Sequence, residues 1–371
     1  MKHLRPLSLI AALACITPLA TAQTPPLLRT EVVASGLQNP WGMAFIDGGR
    51  VLVTERPGRL RVVQHDGRLG EPVAGVPAVD AVGQGGLLDV AADRDFARNR
   101  QVYLCYSEPG PGGNSTALAR ARLSADAAKL EDVKVIFSQQ PKVSSRLHFG
   151  CRIAEAPDGT IFLTLGDRFH RMQDAQTLDN HHGKVVRVRK DGTVPPDNPF
   201  VNRAGARPEI WSLGHRNVQG AAIGPDGRLW TSEHGPQGGD EINRPEAGQN
   251  HGWPVITYGE NYGGGAIGEG LTAKAGMVQP LHQWTPSIAP AGMTFVTTDR
   301  YGPGFKGNLL VASLKFRYLS RLVLDGTRVV REDKLLTDIG ERVRDVAEAP
   351  DGTLYLLTDD RDGQLLRLLP R

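Results

Sequence analysis

The chain has 371 residues, with 44 glycines, 26 prolines, 43 basic and 40 acidic side chains, and a formal charge of +3. This near-neutral balance gives no electrostatic ground for a nucleic-acid or anionic-membrane partner. Three cysteines are too few for a disulfide-rich scaffold, and no spaced Cys/His set for zinc accompanies them.

The first 22 residues, MKHLRPLSLIAALACITPLATA, join a basic start (Lys2, Arg5) to an apolar stretch from Leu7 to Leu19 and an A-x-A end. They predict a cleavable secretory signal, leaving residues 23–371 as one exported, periplasmic domain. The stretch is short for a membrane anchor, and Pro18 interrupts it. Acylation at Cys15 is disfavoured by Ala12, where a larger aliphatic residue is expected. Cleavage removes Lys2 and Arg5, leaving 41 basic and 40 acidic residues and a net charge of +1. Cys105 and Cys151 remain. They could pair in an oxidising compartment or stay as two buried thiols, since a chain of this length needs no staple.

Strand signals follow in order. RTEVVASGL (29–37) reads as a lone strand, and six units of apolar run, turn and apolar run come after it. They lie near 41–66, 86–137, 150–190, 217–245, 291–330 and 343–369. IAEAPDGTIFLTLGD, AAIGPDGRLWTSEHG and VAEAPDGTLYLLTDD share Pro-Asp-Gly at the turn. Asp-Gly between apolar runs signals a hairpin, because glycine supplies the positive φ of a tight turn. Further strand-like pieces such as GRLRVVQHDG and GKVVRVRKDG extend the units. Such repetition predicts an all-β, six-bladed β-propeller rather than a sandwich, with 29–37 closing the ring against the last blade.

In a propeller the loops of one face converge, so residues distant in sequence meet there. The long connections 138–149, 166–182 and 246–290 are natural pocket walls. Polar groups stand at the predicted strand ends: Gln84 in VGQGGLLD, His148 in SSRLHFGCRI, Asp167 in TLGDR, and Arg216, Asn217 and Gln219 in GHRNVQG. Lys315 in ASLKFR and Arg342 and Arg344 in GERVRDV complete the set. An imidazole, several amides and four cations suit a flat, acidic ligand, because arginine forks match carboxylates and lysine adds a mobile charge. SEHGPQGGDE offers carbonyls in the Gly235–Pro236 turn beside two carboxylates, an oxygen-rich set that suits Ca²⁺. Adjacent His181 and His182 make a poor zinc site, so at least one is expected on the surface or in packing. GENYGGGAIGEG lacks the lysine and the strand–helix setting of a nucleotide loop.

Together GQGGLLD, GHRNVQG, SEHGPQGGDEIN, ASLK and RVRDVAEAPDG resemble, in order and approximate spacing, the soluble quinoprotein sugar dehydrogenases, and specifically the periplasmic aldose sugar dehydrogenases. The resemblance covers nearly the whole mature chain. It implies a six-bladed propeller that oxidises aldoses to lactones with pyrroloquinoline quinone (PQQ) and Ca²⁺, passing electrons to an external acceptor. It implies His148 as general base, oriented by Asp167, with Arg216 near the reacting quinone. Gln84, Arg216, Asn217, Gln219, Lys315, Arg342 and Arg344 would hold the cofactor, and Tyr262 would wall the pocket. The carbonyls of Gly235 and Pro236 would bind the catalytic Ca²⁺, and Glu241 with the carbonyl of His251 a second, structural one. Leu147 stands where the best-known glucose dehydrogenases of the group carry aspartate, and His251 where tyrosine is usual. With shorter loops, these departures imply a monomer with broad aldose tolerance. A Ca²⁺-dependent lactone or ester hydrolase and a non-catalytic binding propeller are the rival readings. The first would set several carboxylate and asparagine ligands around the central channel; the second has no use for His148 beside Arg216-Asn217-x-Gln219.

Overall fold

The computed structural model describes residues 28–370, so the predicted signal at 1–22 lies outside the described residues. Six sheets form a ring in which the first strand of each packs against the first strands of its neighbours. These inner strands are Pro40–Phe45, Leu87–Ala92, Gly150–Glu155, Val218–Ile223, Pro290–Phe295 and Val343–Glu348. The first blade has three strands and the others four. In the last, Leu28–Leu37 pairs antiparallel with Gly363–Pro370, from Leu28 opposite Pro370 to Leu37 opposite Gly363. The lone N-terminal strand therefore closes the ring, which is the predicted propeller.

Three Pro-Asp-Gly turns work in one way. Gly159, Gly227 and Gly352 have φ of 79°, 74° and 81°. The aspartate before each of them accepts the N–H two residues on, from Thr160, Arg228 and Thr353. Two blades run past their expected ends. The outer strand of the third is Ile210–Leu213, beyond 190, and that of the fourth is His282–Trp284, beyond 245. Both are short strands reached through long connections, so no hairpin marks them in sequence. Cys105 and Cys151 are not free thiols: they form a buried disulfide joining the second blade to the inner strand of the third. Among the described residues no helix is long and apolar enough to cross a membrane.

One layer of side chains closes the channel. The third residue of each inner strand is, in ring order, Gly42, Asp89, Arg152, Gly220, Gly292 and Asp345. Arg152 reaches from the third blade to both carboxylates, Nη1 3.0 Å from Asp89 Oδ1 and Nη2 3.1 Å from Asp345 Oδ1, with its guanidinium 4.1 Å from the Trp41 ring centre. The glycines leave room for it: a Cβ at Gly42 would strike Asp89, and one at Gly292 would strike Asp345. Arg152 also donates to main-chain carbonyls, through Nε to Gln219 (2.8 Å) and through Nη2 to Trp41 and Arg344 (3.4 Å each).

Removing one partner of a buried ion pair strands the other charge, at a cost of about 3–5 kcal/mol. Arg152→Met should lose about that much in guanidinium denaturation, because Asp89 and Asp345 would both be left uncompensated. Burial already pushes Asp345 up to about 6, against the opposing charge of Arg152. Asp345 thus holds its proton more tightly folded than unfolded, and the folded state gains stability as pH falls through 6 toward the ordinary carboxylate range. The variant should show a larger acid gain than the parent. Equal stability of variant and parent would contradict the clamp.

Candidate active site

The predicted segments around Gln84, His148, Asp167, Arg216, Gly235, Lys315 and Arg342 lie where an inner strand begins or where the strand beside it ends, so they converge on one face; Glu241 lies in a third strand, and His251 and Tyr262 in the long connection 246–290. Gln84 precedes the inner strand of the second blade and His148 that of the third. Arg216, Asn217 and Gln219 open the fourth, and Arg342 and Arg344 the sixth.

His148 is 5% exposed and held on two sides. Its N–H donates to Gln84 Oε1 at 2.8 Å, and its Nδ1 lies 2.7 Å from Asp167 Oδ1. Asp167 has its other oxygen occupied by the Trp253 indole N–H at 2.8 Å, while Oδ1 also accepts the Phe169 N–H at 2.8 Å. Burial lowers the His148 pKa below 6.5, and the Arg216 and Arg168 charges act the same way against the bond to Asp167. Burial would raise Asp167, but the bond to His148 and the charges of His148 and Arg216 bring it below the usual carboxylate range. At neutral pH the pair is a neutral imidazole and a carboxylate. The carboxylate accepts the hydrogen bond from Nδ1–H, which fixes the tautomer and leaves Nε2 free to act as a base.

Arg216 is 4% exposed and ties the site together. Nη1 donates to the carbonyls of Gly235 (2.7 Å) and His234 (3.2 Å), and Nη2 to the Tyr262 hydroxyl (3.4 Å). Asn217 Oδ1 accepts the Gly150 N–H at 3.1 Å and Gln219 Nε2 at 3.2 Å. Arg344 donates to Gln219 Oε1 at 3.4 Å and, with Arg342, pairs with Asp359 at 2.9 and 3.0 Å. Burial works against Asp359 ionising, yet the two guanidiniums bring it down to about 2.

These groups line a cavity of about 180 Å³, whose walls include Gln84, Asn217, Gln219, Arg342, Arg344 and Asp359. Lys315 and Tyr262 line a separate, open hollow of about 680 Å³ with Pro236 and Glu260. Arg216 touches residues of both, His234 of the first and Tyr262 of the second. His148 lines neither; its neighbours Phe149 and Gly150 line the first.

Glu241 lies away from the cavity. Burial and the neighbouring Glu233 push it above the ordinary carboxylate range. Asn243 Nδ2 bridges the two carboxylates at 2.8 and 2.9 Å. Among the described residues Asn243 Oδ1 and both ring nitrogens of His251 are buried without a partner, the His251 ring stacking on His215 at 4.7 Å. Among the described residues no three His, Cys, Asp or Glu side chains are grouped to hold a metal, so a cation here must draw on main-chain oxygens as well. His181 and His182 are both buried packing residues, bonded to Glu209 and to Asp174.

Sequence reasoning missed Trp41, Trp253 and Asp359. Trp41 carries a readable signal: it is the second residue of its inner strand, as Leu88, Gln219 and Arg344 are of theirs, and all four line the cavity. Trp253 belongs to the 246–290 connection and Asp359 to the TDD that follows the last Pro-Asp-Gly hairpin; neither spacing nor periodicity singles them out.

An NMR titration of the His148 ring should give a midpoint below 6.5. Arg216→Met should raise it, because one of the charges holding it down is gone. A parent midpoint at or above 6.5 would contradict the electrostatics described here.

The comparisons with known proteins agree with this geometry. The family model described as Glucose / Sorbosone dehydrogenase matches residues 37–367. The aldose sugar dehydrogenase YliI of Escherichia coli is 44% identical over 351 residues, 94% of each chain. The crystal structure of the soluble E. coli aldose sugar dehydrogenase in the apo-form superposes with a TM-score of 0.89 at 43% identity, covering 93% of this chain and 100% of that one. The PQQ-bound aldose sugar dehydrogenase of Streptomyces coelicolor gives 0.76 at 28% identity, covering 93% and 100%. The chain belongs to the glucose/sorbosone dehydrogenase family and is a sugar-oxidising oxidoreductase of the soluble aldose sugar dehydrogenase type.

Proposed function

We propose that this protein is a periplasmic, monomeric, PQQ- and Ca²⁺-dependent dehydrogenase that oxidises the anomeric carbon of aldoses and passes the electrons to an external acceptor. The observation that carries this reading is the cationic, amide-lined cavity beside the His148–Asp167 pair: among the described residues the buried Nε atoms of Arg344, on its wall, and of Arg216, bonded to its wall residue His234, have no partner. Unpartnered buried donors are costly, and a flat polycarboxylate would satisfy them. The residues therefore fit the cofactor. For its cation, the Gly235 carbonyl accepts from Arg216 through one lone pair and keeps the other, and Pro236 lines the adjoining hollow; the carbonyls of these two residues would hold it. At the second position, the Glu241 carboxylate would hold a cation together with main-chain oxygens such as the carbonyl of His251. Export is supported by the N-terminal signal and by the disulfide, which suits an oxidising compartment.

When bound, PQQ with Ca²⁺ supplies the two-electron acceptor for hydride from the anomeric carbon. His148 Nε2 takes the proton of the anomeric hydroxyl. Asp167, fixed by the Trp253 indole, holds the imidazole in the required tautomer and stabilises the imidazolium that forms. Gln84 sets the main chain of the base. Arg216, Arg344 and the Asn217–Gln219 amides hold and orient the cofactor, and a cation at Arg216 favours negative charge on the oxygen beside it. A hydrolase has less support: the channel carboxylates Asp89 and Asp345 are committed to Arg152.

Purified apoprotein should reduce dye with aldoses only after both PQQ and Ca²⁺ are added, and a chelator added first should prevent it. Arg344→Ala should bind the quinone about one to two orders of magnitude more weakly, the loss typical of one hydrogen bond to a charged group. Full sugar-dependent dye reduction with NAD and no quinone would overturn the proposal.

A further inference from the structure

We propose that Arg168 is a positioning residue for His148: it grips the main chain of the base while the adjacent Asp167 grips its ring. The inference rests on the reading of His148 as the base. Arg168 is a wholly buried guanidinium with no salt bridge among the described residues. Two of its three bonds end on the segment that carries His148. Nη1 donates to the His148 carbonyl at 3.3 Å and Nη2 to the Ser145 carbonyl at 3.0 Å, and Nη2 also bonds Asn114 Oδ1. The guanidinium lies 3.6 Å from the ring centre of Phe149, the next residue in the segment. Ser145 returns the grip, its hydroxyl donating to the Arg168 carbonyl at 2.8 Å.

A buried cation outside ion-pair reach of a carboxylate is expensive, and burial pushes Arg168 down to about 9 against the opposing charges of Asp167 and Asp80. What this cation holds is the backbone of the base. His148, Arg168 and Phe169 have φ of 53°, 59° and 67°, all in the left-handed region that non-glycine residues avoid. The two strained stretches face each other, and Gly166 lets them close, since a Cβ there would strike the His148 carbonyl. Arg168 bonds across this junction and keeps His148 in its strained conformation. Without it, the base would keep its ring bond to Asp167 and its N–H bond to Gln84 but lose the grip on its carbonyl that helps aim Nε2.

The charged groups around His148 are Asp167, Arg216 and Arg168, with His234 beyond Arg216. Loss of Arg168 thus removes one of the two cations that hold the imidazole pKa down. A filler that merely packed the loop would have neither effect.

The test compares parent, Arg168→Met and Arg168→Lys, each reconstituted with PQQ and Ca²⁺, with ring titration of His148 in the apoproteins as a second readout. Arg168→Met should bind quinone within about threefold of the parent, since it touches none of the cavity donors. Its single-turnover reduction by an aldose should fall about 10- to 100-fold, the usual loss for a misplaced catalytic group. Its acid limb and its apoprotein His148 titration should both move to higher pH. Arg168→Lys restores the charge without the fork, so the titration should return toward the parent while the rate stays low. A folded Arg168→Met variant that keeps the parent rate and midpoint would overturn the inference. If Arg168→Met does not fold, Arg168→Lys decides by its rate alone: parent-like turnover refutes the positioning role. A parent holoenzyme that shows no sugar-dependent quinone reduction would instead refute the proposed function.

Discussion

A single guanidinium between two carboxylates, buried on the axis of the ring, holds the inner strands in place. Arg152 gathers Asp89 from the second blade and Asp345 from the sixth, and it reaches the carbonyls of Trp41, Gln219 and Arg344 from the first, fourth and sixth. Charge and shape act together here. Two aspartates without the arginine would repel in a low-dielectric core, and the arginine alone would be an uncompensated charge. The layer works only because Gly42 and Gly292 offer no Cβ to block it.

That layer is the floor of the site. Trp41, Gln219 and Arg344, whose carbonyls Arg152 holds, are cavity-lining residues. The third position of the inner strands thus forms the floor, and in four of the six the preceding residue (Trp41, Leu88, Gln219 and Arg344) supplies a wall above it. The tautomer and aim of the base are set separately, by Asp167, Trp253 and Gln84 from three different connections. Cofactor grip and base therefore rest on different parts of the ring, and damage to one need not disable the other.

Much of this was legible in the sequence. Pro-Asp-Gly at Gly159, Gly227 and Gly352 marks turns whose φ only glycine adopts cheaply; with the other run-turn-run units it made six blades countable, and the lone strand 29–37 pointed to the ring closure. His148, Asp167, Arg216 and Arg344 stood out because charged or imidazole side chains at the ends of apolar strands have no packing role there. The outer strands Ile210–Leu213 and His282–Trp284 were not legible, since a three- or four-residue strand far from its hairpin carries no periodic signal. Trp253 and Asp359 were missed for a related reason: their roles are hydrogen bonds to distant residues, which only the folded chain brings close. The disulfide was open for the same reason, because the sequence gives the separation of Cys105 and Cys151 but not their 5.7 Å Cα distance.

His148 as the base that takes the sugar's anomeric proton is tested most directly by one measurement. Apoprotein of the His148→Gln variant is loaded with PQQ and Ca²⁺, mixed with an aldose, and the reduction of its quinone followed optically in a single turnover across pH. Glutamine can still hydrogen-bond a sugar hydroxyl but cannot accept its proton, so the rate should fall about 10²–10⁴-fold, the range of general-base contributions, and the acid limb should vanish. A variant that reduces its preloaded quinone within a few-fold of the parent, with the same acid limb, would show that another group is the base.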